Sequence, residues 1–462
     1  MINLIEKVFE FFKEFSKIPH GSGNTKQISN YLVKFAKERN LEHYQDELNN
    51  VIIIKEAGKG FENAPPVIIQ GHMDMVCAKT PECTKDMEKE GIDIEDDGEY
   101  MYAKGTTLGG DDGIAVAYAL ALLDSDEAYP RLEVVITVDE EIGLLGASFI
   151  DLSMLKGKIM LNIDSEAEGI FTAGCAGGLR TDCNFKIVRE CTDKDTYKIT
   201  LSGLKGGHSG IDINKGRLNA NKIMGEILAS IKDLRIVSVN GGSADNVITS
   251  SCVAIVKADE VDASHIEAKY KDIEPNIKIE IEKLDCDCKA FDQKSTEKLI
   301  DVINEMPNGV QAMHTDIDGL VKTSLNMGIV KTDDDSFSIS FSIRSSADAD
   351  KYALTNKVKK ITESYDGTAE VQGDYCGWDY KKDSGLRELM CDIYRKQYGK
   401  EPVIDIIHAG LECGIISSKI KDLDCISIGP DLYDIHTPKE RLDMKSAERV
   451  WNFVKAILKE VK

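Results

Sequence analysis

Short apolar segments alternate with helical stretches in the first part of this chain, and this alternation constrains its fold more than any other feature. Runs rich in Val and Ile, at residues 50–55, 67–70, 132–138 and 158–163, predict buried strands. A glycine-rich turn precedes a helix predicted over residues 112–123. Strands that alternate with helices favour an α/β sheet with helices on its faces.

The pattern changes near residue 180 and returns near residue 383. The intervening stretch mixes longer strand-like segments with separate helices, as in an α+β domain. We therefore predict one discontinuous α/β domain, residues 1–182 and 383–462, with a mixed sheet flanked by helices. An inserted α+β domain over residues 183–382 interrupts it, which is tolerated where chain ends lie close together at the surface.

Composition restricts the class of function. The chain has 462 residues, of which 42% are hydrophobic and 30% charged, a balance typical of a globular protein. Its formal charge of −23 disfavours binding to nucleic acid or to anionic membrane surfaces. The longest apolar run, at 113–123, is shorter than the ~20 residues that span a bilayer. The N-terminal segment predicts an amphipathic helix rather than a signal peptide, and the 12 scattered cysteines favour a cytoplasmic protein.

Acidic and histidine residues follow the predicted strands. His72 follows the second strand, Glu140 and Glu141 the third, and Asp164 the fourth, whereas Asp111 opens the predicted helix. Ligands of open α/β sheets gather beyond the carboxyl ends of the strands, so these side chains are expected to meet there. Clustered carboxylates repel one another at neutral pH. A pair of divalent cations is the simplest way to hold them together.

Each of these residues also has a simpler explanation when it is taken alone. His72 and Asp74 are two positions apart on an extended segment, so Asp74 could orient an imidazole that ligates metal. Asp111 could instead cap a helix N-terminus, and Glu140 and Glu141 could lie in a solvated loop. Their occurrence together at strand ends favours a metal site.

Seven motifs, in order along the chain, carry a resemblance to a known family. They are QGHMDMV at 70–76, TTLGGDDGI at 106–114, VDEEIGLLGA at 138–147, LNIDSE at 161–166, GLKGGHSGIDI at 203–213, HAGLECG at 408–414 and IHTPKERL at 435–442. With them, nearly the whole chain resembles the two-zinc superfamily of aminoacylases, carboxypeptidases and dipeptidases. Within that superfamily it is most similar to the aminoacyl-histidine (Xaa-His, carnosinase-like) dipeptidases.

The resemblance implies a role for each matching residue. The five residues that match metal ligands are His72, Asp111, Glu141, Asp164 and His436. Asp111 would bridge two divalent ions, zinc, manganese or cobalt, and the peptide bond after it is often cis in the family. Glu140 matches the general base, and Asp74 matches the residue that orients His72.

The inserted domain would then be a lid over the substrate. His208 matches a lid histidine that stabilises the oxyanion, often across a dimer interface. Arg344 is a candidate for binding the substrate carboxylate, with Asn246 assisting, although an arginine on an exposed sheet face is an equally simple explanation. Glu412 or Glu166 would meet the substrate amino group. A homodimer through the lid is expected in some members of the superfamily.

The sequence thus predicts a cytoplasmic metallo-dipeptidase that acts on small peptides of the Xaa-His type. A tripeptidase or an N-acyl-amino-acid deacylase of the same superfamily is the nearest alternative. Asp164 favours the dipeptidase, because glutamate at this position goes with deacylases. A peptide-binding protein without catalysis is a remote alternative, since Glu140 and all five candidate ligands are present.

Overall fold

The computed structural model describes residues 4–286, 288–315, 317 and 319–462. The helices are α1 (Leu4–Phe15), α2 (Lys26–Glu38), α3 (Gly110–Asp124), α4 (Leu145–Phe149), α5 (Ala220–Ser230), α6 (Ser264–Tyr270), α7 (Gln293–Glu305), α8 (Asp348–Ser364), α9 (Gly385–Tyr398), α10 (Glu412–Lys419) and α11 (Met444–Glu460). The strands are β1 (Glu42–Gln45), β2 (Val51–Lys55), β3 (Val67–His72), β4 (Ile94–Asp96), β5 (Tyr100–Ala103), β6 (Leu132–Thr137), β7 (Ile159–Asn162), β8 (Ile170–Cys175), β9 (Gly177–Lys186), β10 (Arg189–Glu190), β11 (Asp195–Ser202), β12 (Gly207–His208), β13 (Arg235–Gly241), β14 (Val247–Ile248), β15 (Cys252–Ala258), β16 (Lys278–Leu284), β17 (Ala290–Phe291), β18 (Gly309–Met313), β19 (Val321–Thr332), β20 (Ser336–Ser345), β21 (Thr368–Tyr375), β22 (Val403–Ile407), β23 (Asp424–Ser427), β24 (Leu432–Tyr433) and β25 (Arg441–Asp443).

The chain divides into two units. Unit 1 comprises Met1–Cys175, Trp378–Ile406 and Leu411–Lys462, and unit 2 comprises Ala176–Gly377 and Ile407–Gly410. Each unit has its own hydrophobic core. The predicted fold class, an α/β domain with a mixed sheet and an inserted α+β domain, is confirmed.

An eight-stranded sheet forms the centre of unit 1, in the order β1-β2-β6-β3-β7-β23-β8-β22. β3 runs parallel to both β6 and β7, and β23 runs parallel to β7, whereas β1, β2 and β8 pair antiparallel with their neighbours. The central strands are buried along their length, as their Val- and Ile-rich sequences predict. Their carboxyl ends therefore meet at one edge of the sheet.

Helix α3 lies in the core of unit 1 and is apolar on all sides. Two glycines allow close packing around it. A Cβ atom added to Gly113 would lie 2.9 Å from the Phe12 ring on α1, and one added to Gly71 would lie 2.4 Å from Asp112 Oδ2. These approaches bring the first turn of α3 against the end of β3.

Unit 2 is built on a second antiparallel sheet, in the order β16-β11-β15-β13-β19-β20-β9-β21, with β18 paired to β19. Helices α5, α7 and α8 contribute buried apolar side chains to its core. A short pair, β12 and β14, sets His208 opposite Val247. Among the described residues of the chain, no helix is long and apolar enough to cross a membrane.

Candidate active site

The carboxyl ends of three neighbouring strands in unit 1 carry most of the predicted site. His72 is the last residue of β3, Glu140 and Glu141 lie in the turn after β6, and Asp164 follows β7 by two residues. Asp111 and Asp112 lie at the start of α3 with non-helical backbone angles, and a cis peptide bond joins them. His436 lies in the turn after β24 with a φ of 59°.

Asp111 lies at the centre of this cluster. One of its carboxylate oxygens, Oδ1, is 3.2 Å from His72 Nε2, and the other, Oδ2, is 3.1 Å from His436 Nε2. His72 Nε2 also lies 3.7 Å from Asp164 Oδ1. His436 Nε2 lies 2.8 Å from Glu141 Oε1. The structure thus brings together all five residues that match metal ligands.

The donor atoms fit two adjacent divalent cations. His72, Asp111 and Asp164 each offer one atom, and Asp111, Glu141 and His436 offer another such set, with the atoms of each set within 4.8 Å of one another. Asp111 belongs to both sets through different oxygens, which is the arrangement of a bridging carboxylate. Imidazole nitrogen and carboxylate oxygen are suitable ligands for zinc, manganese and cobalt. A third set joins His72 to Glu140 and Glu141.

Burial dominates the electrostatics of these carboxyl groups. It raises the pKa of Glu140 well above its ordinary value, and the negative charge of Asp164 adds to this effect. Burial likewise raises the pKa of Asp164 to about 6. Both raised pKa values reflect the free-energy cost of placing several negative charges close together in a buried site. Bound cations would lower this cost.

Asp74 connects the candidate ligand His72 to the candidate base Glu140. Its Oδ1 accepts a hydrogen bond from the Glu140 backbone N–H (3.2 Å) and lies 3.5 Å from His72 Nδ1. The backbone carbonyl of Asp74 is closer to the same nitrogen, at 3.0 Å. Its Oδ2 accepts from Ser22 Oγ (2.8 Å). Burial opposes ionisation of Asp74, but the contact with His72 lowers its pKa below the ordinary value. This position agrees with an orienting role for Asp74.

Two residues of this site escaped the sequence analysis. Ser22 lies in the short loop after α1, and no motif marks it. Glu440 lies within the motif IHTPKERL, four residues after His436. Its carboxylate accepts hydrogen bonds from the backbone N–H groups of Leu108, Gly109 and Gly110 at 2.7–3.2 Å. The first turn of α3 is therefore capped by Glu440, and Asp111 is not its cap.

Glu412 is completely buried at the start of α10, where its Oε2 accepts hydrogen bonds from Gln70 and Thr137. Burial raises its pKa to about 7. Glu166, the other candidate for the substrate amino group, is exposed. The sequence motifs do not distinguish between Glu412 and Glu166, and a contact of either residue with substrate stays a prediction.

The remaining predicted residues belong to unit 2. The Nδ1 atom of His208 faces the backbone N–H groups of Gly210 (3.2 Å) and Ile211 (3.3 Å). The exposed residue Asn246 lies in the adjoining loop, where its carbonyl accepts from the Ser209 N–H (2.8 Å). The structure therefore brings the segments of His208 and Asn246 together.

Arg344 is buried on β20 and belongs to the same part of unit 2. Its Nη1 donates to Tyr375 Oη (3.1 Å), and its Nε has no hydrogen-bond partner among the described residues. Burial lowers the pKa of His208, and the positive charge of Arg344 adds to the effect. A buried guanidinium with an unused N–H group is able to bind an anion. Arg344 is therefore not an arginine on an exposed sheet face.

Comparisons with known proteins agree with this geometry. Residues 68–460 match the model of Peptidase family M20/M25/M40. The chain is 36% identical to the cytosol non-specific dipeptidase of Escherichia coli (strain K12) over 99% of this chain and 98% of the relative. The crystal structure of aminoacylhistidine dipeptidase from Vibrio alginolyticus is similar with a TM-score of 0.90 and 35% identity, over 99% of this chain and 96% of the other.

A more distant structure shows the fold alone. It is the aminopeptidase PepT from Bacillus cereus, with a TM-score of 0.58 and 16% identity over 99% of this chain and 98% of that one. The family match covers most of the chain, including every residue of the candidate metal site, and the two relatives above 30% identity extend over nearly its full length. This chain therefore belongs to Peptidase family M20/M25/M40.

Proposed function

We propose that this chain is a metal-dependent dipeptidase with a catalytic centre in unit 1. The single observation that carries the proposal is the position of Asp111, whose two oxygens face two separate sets of candidate ligands beside Glu140. The names of the two relatives above 30% identity, both dipeptidases, support the same activity. The cytosolic relative also supports a cytoplasmic location.

The metal ligands in this proposal are His72, Asp111, Glu141, Asp164 and His436, with Asp111 shared. A pair of divalent cations held by such residues polarises a scissile carbonyl and lowers the pKa of water. Zinc is the proposed metal, and manganese and cobalt suit the same donors.

Glu140 acts as the general base. Its carboxylate takes a proton from the attacking water and delivers it to the leaving amine. The backbone carbonyl of Asp74 lies 3.0 Å from His72 Nδ1, and its carboxylate accepts from the Glu140 backbone N–H and lies 3.5 Å from the same Nδ1. Asp74 therefore positions both the ligand and the base. Removal of either contact would misplace the groups that react.

The residues of unit 2 bind the substrate in this proposal. Arg344 binds the terminal carboxylate through its unused N–H group, with Asn246 assisting, and His208 donates to the oxyanion as it forms. Residues 183–382 then serve as a lid domain, and a homodimer through it is the proposed assembly. Since both charged ends of the substrate are matched, short peptides are preferred.

Substrate preference within the dipeptides is the finer part of the proposal. One relative is named for aminoacyl-histidine substrates and the other as non-specific. We propose that Xaa-His peptides are among several dipeptides cleaved. A tripeptidase or an N-acyl-amino-acid deacylase is the alternative that the same chemistry allows.

A panel of dipeptides tests the activity. Alanyl-, glycyl- and β-alanyl-histidine, dipeptides without histidine, a tripeptide and N-acetyl amino acids are assayed before and after chelation, with zinc, manganese or cobalt added back. We expect cleavage of dipeptides that chelation abolishes and metal restores. Glu140→Gln should lower kcat by roughly 10²- to 10⁴-fold, because it cannot accept the proton.

Glu47→Gln is the matched control for this substitution. It removes an exposed carboxylate that is not among the residues of the candidate site and should leave kcat unchanged. Absence of dipeptide cleavage with every metal, in protein shown to bind that metal, would overturn the proposal. Cleavage of N-acetyl amino acids alone would favour the deacylase.

A further inference from the structure

Three side chains form a polar layer on the central sheet of unit 1, beside the candidate ligands. Gln70 lies two residues before His72, Asn162 two residues before Asp164, and Thr137 is aligned with His72 across β3 and β6. Gln70 and Asn162 are aligned across β3 and β7. Because side chains alternate between faces with a period of two, this layer shares the face of His72.

Hydrogen bonds join the layer to Glu412. The carboxylate oxygen Oε2 of Glu412 accepts from Thr137 Oγ1 (2.5 Å) and from Gln70 Nε2 (2.6 Å). Asn162 Nδ2 then donates to Gln70 Oε1 (2.6 Å). The last contact is from the backbone N–H of Asp164 to Asn162 Oδ1 (3.4 Å).

The direction of every bond in this chain follows from the carboxylate. Burial raises the pKa of Glu412 to about 7, and once ionised the carboxylate can only accept, so the Gln70 amide then turns its NH₂ group toward it and its oxygen toward Asn162. Asn162 in turn must present its own oxygen to the Asp164 N–H. All four side chains are fully buried, so water does not compete for these groups.

We infer that Glu412 is a positioning residue, which holds the strand ends that carry His72 and Asp164 through Gln70, Thr137 and Asn162. This inference rests on the proposed function, since it concerns the geometry of the same centre. It differs from the substrate contact expected for Glu412, because the side chain is fully buried and its Oε2 is already engaged, whereas Oε1 has no hydrogen-bond partner among the described residues. Nothing in the sequence motif HAGLECG distinguishes the two roles.

The buried carboxylate Glu133 provides a matched control on the same strand as Thr137. Its oxygens accept from Arg131 Nε and from the backbone N–H groups of Lys156 and Gly157, at the opposite end of β6. Glu133 is as buried as Glu412, and its side chain is on the same face as Thr137. Its loss should affect stability without reaching the candidate ligands.

The test measures zinc affinity, which does not depend on turnover. Zinc is titrated against a chromophoric chelator in folded Glu412→Met, Glu412→Gln and Glu133→Met proteins, with folding checked by circular dichroism. We expect Glu412→Met to lower zinc affinity roughly 10- to 100-fold, as for other residues that orient metal ligands. Glu412→Gln keeps an acceptor oxygen and should stay within about 3-fold of wild type, and Glu133→Met should not change the affinity.

A second variant keeps the inference testable if Glu412→Met does not fold. Thr137→Val removes one of the two bonds to Glu412 at nearly constant volume, and its effect should be smaller but in the same direction. In the double variant Thr137→Val/Glu412→Gln, the loss of zinc affinity should differ from the sum of the losses in the two single variants. Unchanged zinc affinity in both Glu412→Met and Thr137→Val, or equal losses for Glu412→Met and Glu133→Met, would overturn the inference. Failure of the dipeptidase assay in protein that binds zinc normally would instead count against the proposed function alone.

Discussion

His408 and its neighbours show how burial changes the chemistry of one side chain. The imidazole Nε2 lies 2.7 Å from Ser324 Oγ, and the side chain is 8% exposed. Burial lowers the pKa of His408 to about 4, and the positive charges of Arg344 and of His208, when protonated, add to the effect. His408 is therefore neutral at pH 7, whereas in the unfolded chain it titrates near 6.5.

This difference in pKa predicts a loss of stability in acid. The unfolded chain binds the proton more readily, so the stability contributed by neutral His408 is complete above pH 6.5 and is lost as the pH falls toward 4. Between pH 7 and pH 5 the free energy of unfolding should fall by about 2 kcal/mol more in wild type than in His408→Gln. Urea unfolding at the two pH values measures this difference. Equal losses in the two proteins would show that His408 titrates normally when folded.

Helix α3 shows how an element can depend on a residue far away in the chain. Its N-cap residue is Gly109, which has a left-handed backbone conformation (φ 68°). Glycine has no side chain that could cap the helix. Glu440 supplies the missing acceptors instead, with its two oxygens shared among three successive N–H groups. The negative charge also lies at the positive end of the helix dipole. Because Asp111 lies in this same turn, the cap also holds the proposed bridging ligand.

Removal of this cap should therefore destabilise the first turn of α3. Glu440→Ala leaves buried N–H groups without acceptors, and we expect a loss of about 1–3 kcal/mol in the free energy of unfolding. Hydrogen exchange should accelerate at Leu108, Gly109 and Gly110. Lys439→Ala, at the exposed neighbouring position, serves as the control and should change neither quantity. Retained protection at these three amides in Glu440→Ala would contradict the capping role.

At the scale of the whole molecule, charge couples metal binding to stability. The chain carries a formal charge of −23, and unit 1 buries a cluster of carboxylates at one edge of its sheet. Cations that bind the folded chain and not the unfolded chain stabilise it by mass action. The proposed metals are thus expected to contribute to stability as well as to catalysis.

Thermal unfolding tests this coupling directly. Zinc at 100 times its dissociation constant should add about 2.7 kcal/mol to the free energy of unfolding, so chelation should lower the Tm of wild type. His436→Ala removes one ligand of the second set and should show a smaller change in Tm on chelation. If zinc leaves the Tm of wild type unaltered, the cluster does not bind it in the folded state.

The α/β alternation, the inserted α+β segment and the residue types at the strand ends can be predicted from the amino-acid sequence. These features are local, since strand and helix periods repeat over a few residues, and the carboxyl ends of parallel strands such as β3, β6 and β7 necessarily meet. His72 and Asp164 could therefore be proposed as neighbours before the structure was known. His436 was predicted from the motif resemblance, because the periodicity of strands and helices does not connect it to His72 and Asp164.

The pairs of atoms that come into contact depend on the tertiary structure. It placed one Asp111 oxygen toward each histidine, it supplied Glu440 as the cap of α3, and it buried Glu412 beneath the candidate ligands. The partners of the His436, Glu440 and Glu412 bonds lie at least 275 residues apart along the chain. A carboxylate also has the same sequence signature whether it caps, ligates or is buried. Such contacts depend on how sheet and helices pack, because burial and direction are set by neighbours in space.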